Sequence, residues 1–165
     1  DILQSELGLL GQYGLRNKRE LWLHKTMLSK FRGIARSLLG MSTAERAKME
    51  EQLLGRLKHL GILSEDAVLD NILAMSIEDI LGRRLQTLVH RKGLAKTIHQ
   101  ARQLITHGHI AIDDRRIFAP SYLVPRDKEE KVTYTPDSPL SNPEHTLRTA
   151  IEAEPRKGEM DEQKG

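Results

Sequence analysis

The hydrophobic pattern changes period at Gly108, and that change limits what this chain can fold into more than any other feature. Before it, Ile98, Ala101, Leu104 and Ile105 recur at helical spacing and share one face. After it, His109-Ile110-Ala111-Ile112 alternates, Asp113-Asp114 supplies a turn and Arg115-Arg116-Ile117 returns, the pattern of a hairpin. Thr97 is a good N-cap, so the spacing predicts a helix over 98–107 that stops at Gly108.

The stretch around this junction is also the most one-sided in charge. Residues 82–122 hold Arg83, Arg84, Arg91, Lys92, Lys96, Arg102, Arg115 and Arg116 against only Asp113 and Asp114. The formal charge of the whole chain is only +3. Gln100, Gln103 and His107 line the polar side of the predicted helix, with Arg102 and Thr106 beside them. A face of amide, guanidinium and imidazole is equipped to contact phosphates, riboses and base edges. Arg115 and Arg116 sit just past the hairpin tip.

A second basic block lies upstream. From Asn17 to Leu39 the pattern is helical, with Leu21, Leu28, Phe31, Ala35 and Leu38 on one face and Lys18, Lys25, Arg32 and Arg36 on another. Residues 13–40 contain seven Lys/Arg, Arg16 and Arg19 among them, and Glu20 as the one acid. Charge runs usually mark nothing more than solvated faces, but a merely soluble face mixes signs. Two separate basic blocks on predicted structure point to a polyanion partner. Residues 59–81 between them are acidic, and their acids fall in first helical turns, where the helix dipole favours them.

The remaining segments are simpler. Ile2–Leu10 is expected to form a short helix. Gly40 is placed as a C-terminal cap with positive φ. Ser42-Thr-Ala-Glu45 reads as a capping box for a helix over 43–60, with Ala47, Leu54 and Leu57 inward and Gly61 after its end. Helices restart at Ser64 and Ser76, the second running past Gly82 to Val89. Lys131–Thr135 predicts a last strand. From Pro136 onward four prolines and few apolar residues predict an extended tail, ordered only by a partner.

Several kinds of chemistry find no support. The chain has no cysteine, so it has neither a disulfide framework nor a thiolate metal site. No apolar run is long enough to span a membrane. Of the seven histidines, His99, His107 and His109 cluster, but no acid completes a ligand set and their neighbours are cationic. No metal and no cofactor is expected. His107 and His109 read equally well as nucleic-acid contacts or as packing at the helix–strand turn. No phosphate-binding glycine loop with its lysine occurs, and the paired acids have no companion base. Trp22 reads as a core anchor, and Tyr122 as part of the hairpin core.

The stretch AKTIHQARQLITHGHIAIDDRRIFAPSYLV (95–124) resembles the αL RNA-binding motif, also called the S-four motif. The resemblance rests on Ala95, Thr97, Ala101-Arg102, Leu104-Ile105, Gly108-His109-Ile110 and Pro120-Ser121-Tyr122. YGLRNKRELW (13–22) is similar to the N-terminal signature of the small-subunit ribosomal protein S-four family in its archaeal and eukaryotic form. The two blocks occur in the family's order and the similarity covers about residues 11–135. It implies an α+β fold in three parts. A helical part (1–81) precedes an αL domain (82–135) of short helices and a small, mainly antiparallel sheet, and an extended or disordered tail (136–165) follows.

The resemblance further implies a non-enzymatic, ribosome-bound cytoplasmic protein of the small subunit. Its partners would be the 5′ domain of small-subunit ribosomal RNA, neighbouring small-subunit proteins and messenger RNA near the channel it enters by, with roles in assembly and decoding accuracy. With it, the RNA-contacting candidates are Arg16, Lys18, Arg19, Lys25, Arg32, Arg36, Arg83, Arg84, Arg91, Lys92, Lys96, Thr97, Gln100, Arg102, Gln103, His107, His109, Arg115 and Arg116. The αL motif also occurs in RNA-modifying enzymes and in free-standing factors of ribosome rescue or RNA quality control. An enzyme would need a catalytic domain for which the helical remainder leaves no room; the free-standing factor stands as the alternative. Two departures from the family matter. The cysteine cluster of many bacterial members is absent, so no zinc is carried over. Asp113-Asp114 stands where many members have Asn-Gly, and Asp tolerates the positive φ of a type I′ turn less well than Gly. A hairpin one residue longer than the family norm is therefore expected.

Overall fold

A computed structural model describes residues 2–153. Within them the chain divides into two compact units. The first comprises the chain up to Arg83 together with Leu123–Asp127, and the second holds Arg84–Tyr122 and the chain from Lys128 on. The return of 123–127 to the first unit is a detail that a linear domain division at 81 and 135 does not contain.

The first unit is helical: α1 (Ile2–Tyr13), α2 (Lys18–Leu39), α3 (Thr43–His59), α4 (Leu69–Leu73) and α5 (Ile77–Leu81). The Asn17 side chain caps α2 by accepting from the Glu20 amide at 3.2 Å. All five residues assigned to the apolar stripe of α2 are buried. Leu28, Phe31, Ala35 and Leu38 pack with Leu53, Leu57, Ile62, Leu63, Ile72, Met75 and Ile80 into one core. Leu21 joins a second cluster with Tyr13, Leu15 and Leu81. Ser42 caps α3 as its sequence predicts, accepting from the Glu45 amide at 3.4 Å.

Some local expectations are corrected. Leu53 and Leu57 are the buried residues of α3, while Ala47 is exposed and Leu54 only half-buried. Gly40 ends α2 at φ −78°, within reach of any residue. Ser64 begins a turn, its hydroxyl donating to Asp66 at 2.7 Å, and the next helix starts only at Leu69. The helix expected to run unbroken from Ile77 to Val89 is interrupted after Leu81 and resumes at Leu85. Trp22 is not a core anchor: it is 57% exposed on α2.

Arg83 explains part of that interruption. Its Nε donates to the Leu60 carbonyl at 3.0 Å and its Nη2 to the Val124 carbonyl at 2.8 Å. The Val124 amide returns a bond to the Arg83 carbonyl at 3.0 Å. The guanidinium lies against Gly61, where a Cβ would sit 2.8 Å from its carbon. Gly61 also has φ +74°, a conformation glycine adopts at low cost.

The second unit contains α6 (Leu85–Arg91), α7 (Ile98–Thr106), β1 (Ile110–Ile112), β2 (Arg115–Arg116), β3 (Val132–Tyr134) and α8 (Thr146–Ala153). The sheet order is β2-β1-β3 and both pairings are antiparallel. Ile112 faces Arg115 across the turn and Ile110 faces Tyr134 on the other side. Ile98, Ala101, Leu104 and Ile105 are the buried face of α7. Gly108 takes φ +78°, letting the chain reverse directly from helix to strand.

The hairpin turn is two residues long, not three. Asp113 and Asp114 both take positive φ, 55° and 64°, as a type I′ turn requires. Asp is among the few side chains that enter this region at modest cost. The Asp113 carboxylate is also held by Lys128 at 2.8 Å and Lys131 at 3.4 Å. Order extends past Pro136, where the composition led us to expect an extended tail. Pro139–Ser141 forms a 3-10 turn and Thr146–Ala153 a helix. Leu140 and Ile151 are buried. Arg148 donates to the carbonyls of Leu140 and Ser141 and lies 5.2 Å from the Tyr134 ring centroid. A few well-placed groups therefore hold a segment whose average composition is poor. The last part of that expected tail, 154–165, lies outside the described residues.

Candidate nucleic-acid interface

Helix α7 is fixed at its start by a reciprocal cap. Thr97 Oγ1 accepts from the Gln100 amide at 3.0 Å, and Gln100 Oε1 accepts from the Lys96 amide at 2.6 Å. This locks Thr97 and Gln100 in place and leaves the Gln100 NH2 group as a donor. Lys96, Thr97, His99, Gln100 and Gln103 line a shallow open groove along the polar side of the helix. Gln103 and His107 continue that side toward the helix end, and both are exposed. The sequence suggests His99 only as a metal ligand; its exposed position beside Lys96 marks it as part of this face.

The hairpin extends the cationic surface. Arg115 and Arg116 are exposed on β2. Arg116 reaches Asp137 at 3.4 Å, but both side chains stand in solvent, where such a pair is weak. Arg91 is exposed and Arg102 half-buried on the neighbouring helices. His109 turns inward, its Nδ1 2.8 Å from Ser138 Oγ, so of its two readings packing at the helix–strand turn is the one the geometry supports. Lys92 is tied down as well, donating to the carbonyls of Glu129 and Val132, each at 2.9 Å.

Arg84 is removed from the candidate surface. It is completely buried, so no phosphate reaches it in this fold. Arg83 likewise spends its donors on Leu60 and Val124. Sequence position beside Arg91 and Lys92 gave no sign of either role, because burial depends on contacts distant along the chain.

The α2 stripe is only partly open. Lys25 Nζ donates to Glu6 Oε1 at 2.9 Å, and Lys18 lies 3.7 Å from the same carboxylate. The hydrogen bond from Lys25, with the nearby lysine charges, holds the Glu6 carboxyl below its ordinary range. Arg32 donates through Nη2 to the Met75 carbonyl. Arg16, Arg19 and Arg36 are exposed. Two aromatic side chains also stand in solvent: Phe118 is 57% exposed and Tyr122 39%, so Tyr122 closes less of the hairpin core than expected. Strand alternation could have exposed Phe118 to view, since it puts residues 116 and 118 on one side and half-buried Ile117 on the other.

No cluster of three or more His or acidic residues suited to a metal ion occurs among the described residues. No helix among them is long and apolar enough to cross a membrane.

A capped helix with a polar outer side, leading through a positive-φ glycine into a basic hairpin, is the arrangement of an S4 domain, and residues 83–129 match that family. The chain is 55% identical to the small ribosomal subunit protein uS4 of Metallosphaera sedula, over 85% of this chain and 78% of that protein. It is 56% identical to the uS4 protein of Hyperthermus butylicus, over 84% and 79%. With that of Methanothermobacter thermautotrophicus the figures are 49%, 84% and 81%. The chain belongs to the small ribosomal subunit protein uS4 family.

Proposed function

We propose that the protein is a structural constituent of the small ribosomal subunit, cytoplasmic and ribosome-bound. It binds the 5′ domain of small-subunit ribosomal RNA and supports subunit assembly and translational accuracy. The observation that carries this reading is the co-location of exposed Gln103 and His107 on α7 with exposed Arg115 and Arg116 on the hairpin, all in one unit. Cations there neutralise phosphates, and the amide and imidazole groups recognise the shape of the RNA at close range. Arg16, Arg19 and Arg36 on the helical unit supply a second set of exposed cations. Between them they contact more than one RNA segment. Neighbouring small-subunit proteins are its further partners, and messenger RNA is one where it enters the subunit. In this reading the protein is non-enzymatic, in keeping with the small-subunit proteins it is similar to.

The test is Arg115→Glu with Arg116→Glu, assayed against a transcript of the archaeal 5′ domain. Specific binding is expected to fall by at least about tenfold at moderate salt, with a shallower salt dependence and an unchanged melting temperature. Unchanged affinity in the double variant sinks the assignment of this surface. Failure of the wild-type chain to bind that RNA sinks the reading as a whole, and leaves the free-standing rescue or quality-control factor as the alternative.

A further inference from the structure

The proposed RNA surface contains an aromatic ring that neither the capping of α7 nor the sheet core accounts for. Phe118 follows the hairpin and is 57% exposed, whereas Ile110, Ala111 and Ile112 of the adjacent strand are all buried. Leaving most of a phenyl group in water forgoes the stabilisation that its burial would give. The ring is nevertheless placed by the fold. Its edge carbon Cε1 lies 3.0 Å from where a Cβ on Gly108 would stand, so the ring rests on the backbone of a residue without a side chain. Gly108 is itself held at φ +78° by the helix-to-strand reversal. The Ile117 amide donates to the Ile110 carbonyl at 3.2 Å, anchoring the residue just before the ring.

The surroundings favour a nucleic-acid partner over a protein one. Exposed His107 precedes the glycine that carries the ring, and exposed Arg115 and Arg116 precede the ring itself. Of the two acids at the hairpin turn, Asp113 is occupied by Lys128 and Lys131, and Asp114 stands exposed at the tip. Exposed imidazole and guanidinium groups this close to the ring along the chain attract a phosphate-bearing strand. The ring then offers its face to a base, a contact that every base can make. A base inside an A-form duplex is not accessible in this way, so the target is an unpaired or bulged nucleotide.

We infer that Phe118, seated on Gly108, is a stacking platform for one unpaired nucleotide of the bound RNA. This rests on the rRNA-binding reading above and adds a specific structural element of the RNA to it. Arg115 and Arg116 hold the flanking phosphates, and Phe118 selects a strand whose base can leave the helical stack.

The full-length chain is titrated with the same 5′-domain transcript in four forms: wild type, Phe118→Ala, Phe118→Leu and Phe118→Trp. Phe118→Ala is expected to weaken binding by about 5- to 100-fold, with the salt dependence unchanged because no phosphate contact is lost. Phe118→Leu is expected to fail to restore it, and Phe118→Trp to keep it. Because the sequence contains one tryptophan, Trp22, Trp22→Phe with Phe118→Trp gives a reporter confined to this position. Its fluorescence is expected to be quenched on RNA binding. Full affinity in both the Ala and Leu variants, with wild-type binding intact, overturns the platform and leaves the rRNA reading standing. Loss of wild-type binding overturns both. A variant set in which RNA affinity is untouched, while incorporation into reconstituted subunits is lost by Ala and restored by Leu, assigns the ring to a protein neighbour and overturns the platform.

Discussion

Helix α2 and the β1–β2 hairpin each carry a row of cations, and the rows are used differently. On α2, Lys18 and Lys25 share Glu6 and Arg32 donates to the Met75 carbonyl. On the hairpin, Arg115 and Arg116 stand in solvent, and Arg116 makes a loose contact with Asp137 at 3.4 Å. Both rows look alike in sequence. A cation with a partner in its own chain contributes to the fold, and reaching a phosphate requires it to give that partner up. A cation whose partner is held only loosely in solvent faces little such competition. Positive charge counted along a sequence is thus an upper bound on the charge that a partner can meet.

The contrast can be broken first at its extreme. Arg84, buried in the second unit, is expected to lose about 2–4 kcal/mol of stability on Arg84→Ala, from lost packing and internal contacts. Chemical denaturation measures it, and a loss below about 1 kcal/mol would mean the guanidinium is not integral to the interior. Arg83→Ala removes two charge-assisted bonds to carbonyls and should cost about 2 kcal/mol. Its effect on RNA affinity at a temperature where the variant is folded should be slight, the reverse of the outcome expected for Arg115 and Arg116.

Much of this division follows from what is local in the sequence. The apolar stripes of α2 and α7 were legible because helical periodicity needs only neighbouring residues, and every residue assigned to those two stripes is buried. The caps at Ser42 and Thr97 follow the same logic, as does the reversal at Gly108. The break at Gly82–Arg84 was not legible, because Arg83 takes its partners from Leu60 and Val124, each at least twenty residues away. Trp22 was misplaced for a different reason. It lies next to Leu21, and one residue of helix turns a side chain by about 100°, off the buried stripe. At the candidate site, residue types were legible but their commitments were not. Arg84 and Lys92 belong to the interior or to backbone carbonyls, while Phe118 was overlooked on the surface.

Smaller effects sharpen the hairpin side of the comparison. Asp114→Gly relieves a non-glycine residue at φ +64° and should stabilise the protein by about 0.5–1 kcal/mol. A thermal shift assay measures it, and destabilisation would mean that the Asp114 side chain contributes more than its backbone conformation costs. The smallest effect is electrostatic. The hydrogen bond from Lys128, with the charges of Lys128 and Lys131, holds the Asp113 carboxyl below the ordinary aspartate range. A carboxyl depressed on folding adds stability above its unfolded pKa and loses it as pH falls through the folded value. The turn is therefore expected to loosen only in acid, below the usual carboxylate range, and less visibly in high salt. Side-chain NMR should show Asp113 titrating nearer its ordinary value in Lys128→Ala, while Glu6 moves toward its own in Lys25→Ala.

The two-residue strand β2 has a consequence apart from any ligand. It forms an outer edge of the three-stranded sheet, and an uncovered edge invites pairing with another polypeptide. A short edge bearing two like charges is a poor template for such pairing, because a second copy would bring its own arginines against these. Wherever that edge stands uncovered, the charges of Arg115 and Arg116 therefore disfavour pairing between two copies.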